Sequence, residues 1–228
     1  MSYTRRTVLI GGLTSLISAP LTSLAHAVSP DITHGSRSGK EVALTFHGAG
    51  DLKFATELLN IFSTTSTPVT VFAVGTFLQD NPTMAKKILD GGHDLGNHTM
   101  THTQMKTISA KRVDQEIGQC ATLLKKLVGT SGALFRPSGT QYSTALIRTT
   151  AAKYGYKNCI SYDVDSHDYQ DPGSAAVISN ISKSVKGGSI ISLHFGHANT
   201  VKAMPKIIDD LKSKGLTPVT ITKLLGKI

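Results

Sequence analysis

Apolar residues along this chain follow two alternating spacings. Short aliphatic and β-branched runs at 42–46, 69–74 and 189–193 are typical of buried strands. Segments with apolar residues three or four positions apart, at 52–63, 109–128 and 204–214, predict helices that pack on one face. The same patterns predict strands at 93–96, 133–135, 159–162 and 218–221, and helices at 82–89, 144–154 and 175–185. Strands that alternate with helices indicate a parallel sheet.

The number of these units bears on the architecture. Six or seven strand–helix units without a Gly-x-Gly-x-x-Gly fingerprint favour a (β/α) barrel over a doubly wound sheet. A chain of 228 residues is short for a full eightfold barrel. We therefore expect a single α/β domain, built as a distorted or incomplete (β/α) barrel of about seven parallel strands.

The first 27 residues predict an export signal. Arg5 and Arg6 precede a weakly apolar run over 8–24, and Ala25-His26-Ala27 is a small-x-small cleavage site. This arrangement resembles a bacterial twin-arginine signal, with an ordinary secretory signal or an uncleaved anchor as alternatives. We expect a linker over 28–40, a catalytic domain over 41–228, and a secreted bacterial protein without stable membrane insertion after cleavage.

Composition narrows the range of partners. The chain is 39% hydrophobic and 17% charged, which is ordinary for a soluble globular protein. Without Arg5 and Arg6, the 24 basic residues become 22 against 15 acidic ones, a net charge of +7. This charge could favour anionic polymers, but the lysines are scattered and no basic stripe alternates with aromatic residues, so we expect no nucleic-acid partner. We expect a monomer, in which Cys120 and Cys159 form either a disulfide or two buried thiols.

The polar residues that could act in catalysis or bind a metal follow the predicted strands. His47 and Asp51 follow the first strand, His98 and His102 the third, Arg136 the fourth, Asp163, Asp165 and Asp168 the fifth, and His194 and His197 the sixth. Because the carboxyl ends of parallel barrel strands open onto one face, we expect these side chains to converge there. The spacing of four between His98 and His102 suits two ligands of a metal ion on one helical turn. The chain is therefore predicted to be an enzyme.

Five short segments carry a resemblance to a known family. They are Thr45-Phe46-His47-Gly48, His98-Thr99-Met100-Thr101-His102, Arg136-Pro137-Ser138-Gly139, Asp165-Ser166-His167-Asp168-Tyr169 and Leu193-His194. In this order, they resemble the motifs of the polysaccharide deacetylases of carbohydrate esterase family 4. The resemblance implies a metal-dependent hydrolase that removes acetyl groups from a glycan such as a chitooligosaccharide, peptidoglycan or acetylxylan.

The resemblance also implies roles for individual residues. His98 and His102 would bind a divalent metal, Zn²⁺ or alternatively Co²⁺, and His194 would be the general acid. Asp165 would pair with His194, and Arg136 would orient the base or bind acetate. Tyr169 and Leu193 would line the acetyl pocket.

The first motif departs from the family pattern. His47 and Gly48 stand where the family has two aspartates, the base and a metal ligand. We expect Asp51 to be the third ligand and His47 the base. The alternatives are His47 as third ligand with Asp51 as base, and a degraded site that leaves a glycan-binding domain. Hydrolysis of a non-sugar amide is a further alternative.

Overall fold

The computed structural model describes Met1 and residues 30–226, so the rest of the expected export signal lies outside the described residues. Its centre is a parallel sheet in the order β3-β2-β1-β5-β4. These strands are β1 (Glu41–Gly48), β2 (Thr70–Ala73), β3 (Asp94–Asn97), β4 (Val164–Asp165) and β5 (Ile190–His194), and β6 (Thr217–Pro218) pairs with the start of β1. The expected parallel α/β class is confirmed.

Isolated bridges continue the sheet beyond β3. Asn97 pairs with Phe135, and Phe135 pairs with Cys159, both in parallel. The strands predicted at 133–135 and 159–162 therefore exist only as single bridges. Ile32 adds a parallel bridge to Ile160, while His34 bridges Ser189 beside β5. These pairings curl the sheet into an incomplete barrel, and part of the expected linker over 28–40 belongs to it.

Eight helices surround the sheet in the described part of the chain. They are α1 (Leu52–Thr65), α2 (Gly75–Asp80), α3 (Thr83–Asp90), α4 (Ala110–Val128), α5 (Ala145–Lys153), α6 (Ser174–Ser184), α7 (Ala198–Ser213) and α8 (Ile221–Leu225). Local signals explain several boundaries: Ser109 Oγ accepts from Arg112 N at the start of α4, and Gly129 ends it at φ 81°. None of the described helices has the length and hydropathy that a membrane crossing requires.

Two further element predictions differ from the structure. Helix α7 begins at Ala198, before the predicted start at residue 204, and it contains Pro205. The strand predicted over 218–221 is limited to the two residues of β6. Ile221 already begins α8, because Thr220 caps that helix by accepting from Lys223 N. A short apolar run thus belongs to a helix here, an ambiguity that periodicity alone does not resolve.

Side chains along β1 and β5 alternate between the packed core and a face that carries polar groups. Leu44 and Phe46 of β1 and Leu193 of β5 are fully buried in the core cluster that includes residues of α1 and α7. The residues between and after them, Thr45, His47 and His194, project to the opposite face. This face carries the polar groups toward the carboxyl ends of the strands.

Candidate metal and catalytic site

Four histidines meet at the carboxyl ends of the strands. His47 of β1 lies opposite His194 of β5, with ring centroids 4.3 Å apart. The ring of His47 is also 4.4 Å from that of His98, which is 5.0 Å from that of His102. The convergence expected from the sequence is present for these four side chains.

The segment that carries His98 and His102 is a turn held by side chains, and neither residue lies in a helix. Thr99 and His102 have positive φ values of 69° and 56°. Asn97 Oδ1 accepts from Thr99 N at 2.8 Å, which closes the turn after β3. The two histidines therefore come together through left-handed backbone positions and not through the helical turn that their spacing predicts.

The donor set fits a divalent metal ion. One ligand atom from each of His47, His98 and His102 lies within 4.8 Å of the other two. His98 Nδ1 is 2.8 Å from the carbonyl of Arg136, which makes it the donor and leaves Nε2 unprotonated. That Nε2 atom is buried without a hydrogen-bond partner in the described part of the chain. A neutral imidazole with one nitrogen bonded to a carbonyl and the other free is the usual state of a metal-binding histidine.

Electrostatics keep these three imidazoles neutral. Burial, followed by the charges of neighbouring histidines, lowers the pKa of His47 and His98 well below 6.5. The same two causes lower the pKa of His102. Since a metal ion binds the unprotonated ring, the site is prepared for a cation at neutral pH.

His47 is held from two further sides. Its Nε2 atom is 3.3 Å from Arg136 Nη1 and 3.2 Å from Ser192 Oγ. Arg136 is itself buried, with Nε donating to the Ile160 carbonyl and Nη2 to the Ser161 carbonyl, both at 3.0 Å. Burial lowers the pKa of Arg136 to about 9, so its guanidinium stays charged at neutral pH. Because a guanidinium only donates, His47 Nε2 is the acceptor in this contact, and a metal ion would compete with Arg136 for that nitrogen.

Asp51 lies apart from the histidines. Its carboxylate accepts from Lys53 N at 2.8 Å and caps the exposed start of α1. Gly50, at φ 93°, packs so closely that a Cβ there would lie 2.5 Å from Gly196 Cα. The loop before Asp51 is therefore closely packed against the loop that contains Gly196. Among the described residues, the cluster of possible ligands contains His47 and not Asp51, and the identity of the third ligand stays a prediction.

Gly48 faces away from the site. A Cβ at this position would lie 2.8 Å from Val71 Cγ1 and 3.1 Å from Ala73 Cα. Both neighbours belong to β2 and to the core cluster that also contains Leu44 and Phe46. A side chain at position 48 would therefore start toward the core, in keeping with the alternation along β1.

His194 pairs with Asp168, and the pairing with Asp165 expected from the sequence is corrected. His194 Nδ1 is 2.7 Å from Asp168 Oδ1, and His194 N donates to Asp168 Oδ2 at 2.8 Å. Asp168 opens a short 3₁₀ helix (Asp168–Gln170), after His167 has turned the chain at φ 53°. Burial opposes the ionisation of Asp168, but hydrogen bonds and charge from His194, with a bond from Thr200, lower its pKa.

Asp165 remains at the same pocket. Its Oδ1 accepts from His167 N at 2.9 Å, and the residue lines a cavity together with His47, His102 and His194. Asp165 is the carboxylate residue of that lining.

Of the two residues expected in the acetyl pocket, one lies there. Tyr169 is 46% exposed, lines the same cavity, and has its ring centroid 5.4 Å from that of His194. Leu193 is fully buried in the core cluster, because it alternates with the pocket residues Ser192 and His194 along β5. Strand alternation thus corrects the expectation for Leu193 and also identifies Ser192, which motif reading missed.

Comparison with known proteins agrees with the geometry. The family model described as polysaccharide deacetylase matches residues 34–159. The chain belongs to the polysaccharide deacetylase family. It is 32% identical over 190 residues to a peptidoglycan-N-acetylglucosamine deacetylase of Bacillus cereus, across 82% of this chain and 88% of the relative.

Solved structures of the family share this fold. A family 4 carbohydrate esterase from Streptomyces lividans, in complex with acetate, is 30% identical, with a TM-score of 0.72 over 80% of this chain and 93% of its own. A family 4 pseudoenzyme from Bacillus anthracis has a TM-score of 0.80 at 24% identity, over 85% of this chain and 68% of its own. The latter likeness shows the fold alone. A polysaccharide deacetylase fold thus occurs both in an esterase and in a pseudoenzyme.

Proposed function

We propose that this protein is an exported, metal-dependent deacetylase of an acetylated glycan, with His47, His98 and His102 as its metal ligands. The observation that carries the proposal is the three-histidine cluster beside the paired His194 and Asp168. Family membership supports an acetylated polysaccharide as the substrate class, and the activity named for the Bacillus cereus relative supports peptidoglycan within that class. Zn²⁺ suits imidazole ligands, and Co²⁺ is an alternative.

The protein's own residues divide the remaining work. A bound divalent metal would polarise the acetyl carbonyl and acidify water. Asp168 holds Nδ1 of His194, so the other ring nitrogen is free to carry a proton to the departing amine or hydroxyl. Asp165, as the carboxylate of the pocket lining, is the candidate to accept a proton from water. Arg136 orients the ring of His47 before a metal binds, because its guanidinium donates to Nε2.

Acetate release from chitooligosaccharides, peptidoglycan and acetylxylan tests this proposal. We expect release from at least one substrate, loss of release with a chelator, and recovery with Zn²⁺ or Co²⁺. His194→Ala should lower the rate by about 10²–10⁴-fold, as removal of a general acid does. Folded protein that releases no acetate from any of the three substrates would refute the proposal.

A glycan-binding domain without catalysis is the second candidate. Gly48 favours it, because the family's metal-binding aspartate is missing at this position. It predicts that the protein is retained on insoluble peptidoglycan or chitin after chelation and in His194→Ala, with no acetate released. Retention that disappears with the metal would count against this candidate.

A further inference from the structure

A charged side chain is buried directly behind the turn that carries His98 and His102. Glu116, in the middle of α4, has an exposure of 0%. Its Oε2 accepts from Thr101 N at 2.8 Å, and its Oε1 accepts from Thr101 Oγ1 at 2.6 Å. Arg112, one helical turn earlier, places Nη2 2.6 Å from Oε1. Because a buried carboxylate is costly unless it is paired and bonded, these contacts account for its presence.

The residue that Glu116 holds is the immediate neighbour of a proposed metal ligand. Thr101 precedes His102, whose φ is 56°, and the turn also contains Thr99 at φ 69°. Left-handed positions of this kind are unfavourable for residues with a Cβ and persist when surrounding contacts fix them. Glu116 supplies such contacts to both the backbone and the side chain of Thr101.

Helix α4 also fixes the other end of the turn. Asn97 Nδ2 donates to the carbonyl of Ile117 at 3.0 Å, so adjacent residues of one helix hold the turn before His98 and before His102. Thr99 Oγ1 donates to Ser138 Oγ at 2.8 Å in the middle of the turn. Of these contacts, only those made by Glu116 are charge-assisted hydrogen bonds, which are stronger than hydrogen bonds between neutral groups.

We propose that Glu116 is a positioning residue, which fixes the turn so that His102 stays in reach of the metal held by His98. The inference rests on the proposed metal site. Arg112 assists by neutralising the buried carboxylate, and it donates to Thr101 Oγ1 at 3.2 Å. Glu116 itself binds neither metal nor substrate.

Cobalt binding to the purified full chain tests this role without relying on activity. Co²⁺ affinity and the visible d–d absorption are measured for wild type, Glu116→Ala and Glu116→Gln. We expect Glu116→Ala to lose about 10–100-fold in affinity, as mutation of a partner behind a ligand does, with an altered spectrum. Glu116→Gln should recover part of the affinity, because its amide oxygen still accepts from Thr101 N. The control is Asp114→Asn, which affects an exposed pair with Lys153 on the same helix.

Two outcomes separate this proposal from the proposed function. If wild type binds neither Co²⁺ nor Zn²⁺, the metal site fails, and the role of Glu116 fails with it. If wild type binds Co²⁺ and the folded Glu116→Ala variant binds it equally well with the same spectrum, only the positioning role is overturned. Circular dichroism verifies the fold of each variant.

A second pair of variants covers the case in which Glu116→Ala does not fold. Arg112→Ala changes a side chain that is 42% exposed, and Thr101→Val removes one hydroxyl while keeping the backbone donor. Each should weaken Co²⁺ binding several-fold. Wild-type affinity in both folded variants would overturn the proposal.

Discussion

At the scale of single residues, the strongest chemical signal is one nitrogen atom. His98 Nε2 is buried without a hydrogen-bond partner in the described part of the chain, while its Nδ1 is bonded to the carbonyl of Arg136. A buried nitrogen without a hydrogen bond is unfavourable in a protein interior. Its position beside His47 and His102 suits it to bind a metal ion. The metal affinity of the protein should therefore depend most on this residue.

His98→Asn should lower Zn²⁺ affinity by more than about a hundredfold, beyond the range expected for partners that only orient a ligand. Competition with a chromophoric chelator measures this change. The matched control is His34→Asn, an exposed histidine bonded to its neighbour's carbonyl. Equal affinities for wild type and His98→Asn would remove His98 from the ligand set.

Asp168→Asn should lower kcat/KM for acetate release by at least about a hundredfold. The amide would favour the wrong tautomer of His194, as replacement of the orienting aspartate does in other histidine dyads. Asp165→Asn should leave His194 in place and lower the rate through loss of the proton acceptor. The kcat/KM of both variants for acetate release is compared with that of wild type. If Asp168→Asn keeps the wild-type rate, the role of this pair is wrong.

At the scale of elements, the strand alternation decides which residues reach the site. The sequence motifs correctly predicted that polar residues at the strand ends converge, because parallel strands open onto one edge. They could not predict that His167 turns the chain at φ 53° and thereby presents Asp168 in place of Asp165. The resemblance to the family also placed Leu193 in the pocket, whereas alternation along β5 buries it. Tertiary contacts, and not local spacing, determine both results.

Gly48→Asp should not restore a carboxylate ligand. A Cβ there would lie 2.8 Å from Val71 Cγ1, and the carboxylate would enter a packed apolar layer. We expect the free energy of unfolding to fall by more than about 2 kcal/mol, with no gain in metal affinity. Urea unfolding of the variant beside Gly39→Asp, at an open surface position, measures the cost. Tighter Zn²⁺ binding at wild-type stability would show that position 48 faces the metal.

His93, at the junction between α3 and β3, should make stability pH-dependent. Its buried Nδ1 accepts from Val69 N at 3.3 Å, and burial lowers its pKa below 6.5 despite the opposing charge of Asp94. Below pH 6.5 the histidine is protonated more readily in the unfolded chain than in the folded chain. The contribution of His93 to the free energy of unfolding is therefore fully present above this pH and is lost as the pH decreases. The slope from one such group is at most about 1.4 kcal/mol per pH unit.

Urea unfolding of metal-free protein between pH 8 and pH 5 measures this effect. In His93→Gln the loss of stability on acidification should be smaller than in wild type. Exposed His34→Gln is the matched control for removal of a histidine side chain. An identical slope in wild type and His93→Gln would contradict the prediction.

At the scale of the whole molecule, the class of fold was more predictable than its closure. Repeated strand–helix units are enough to specify a parallel α/β domain, and the spacing of apolar residues along the sequence reveals these units. Closure depends on single bridges at Ile32, Phe135 and Cys159, which leave almost no periodic signal. The same holds for the site: the histidines were predicted, but the motifs do not reveal that the loop before Asp51 packs against Gly196. That contact joins residues that are far apart in the sequence.

The identity of the third ligand is the central claim, and X-ray absorption spectroscopy of the zinc-loaded protein tests it most directly. We predict three imidazole ligands in wild type, with Zn–N distances of about 2.0–2.1 Å. Asp51→Ala should keep all three and lose only the cap of α1, at about 0.5–2 kcal/mol of stability. His47→Ala should retain two imidazoles. A wild-type spectrum with two imidazoles and one carboxylate, in which the carboxylate disappears in Asp51→Ala, would contradict the account.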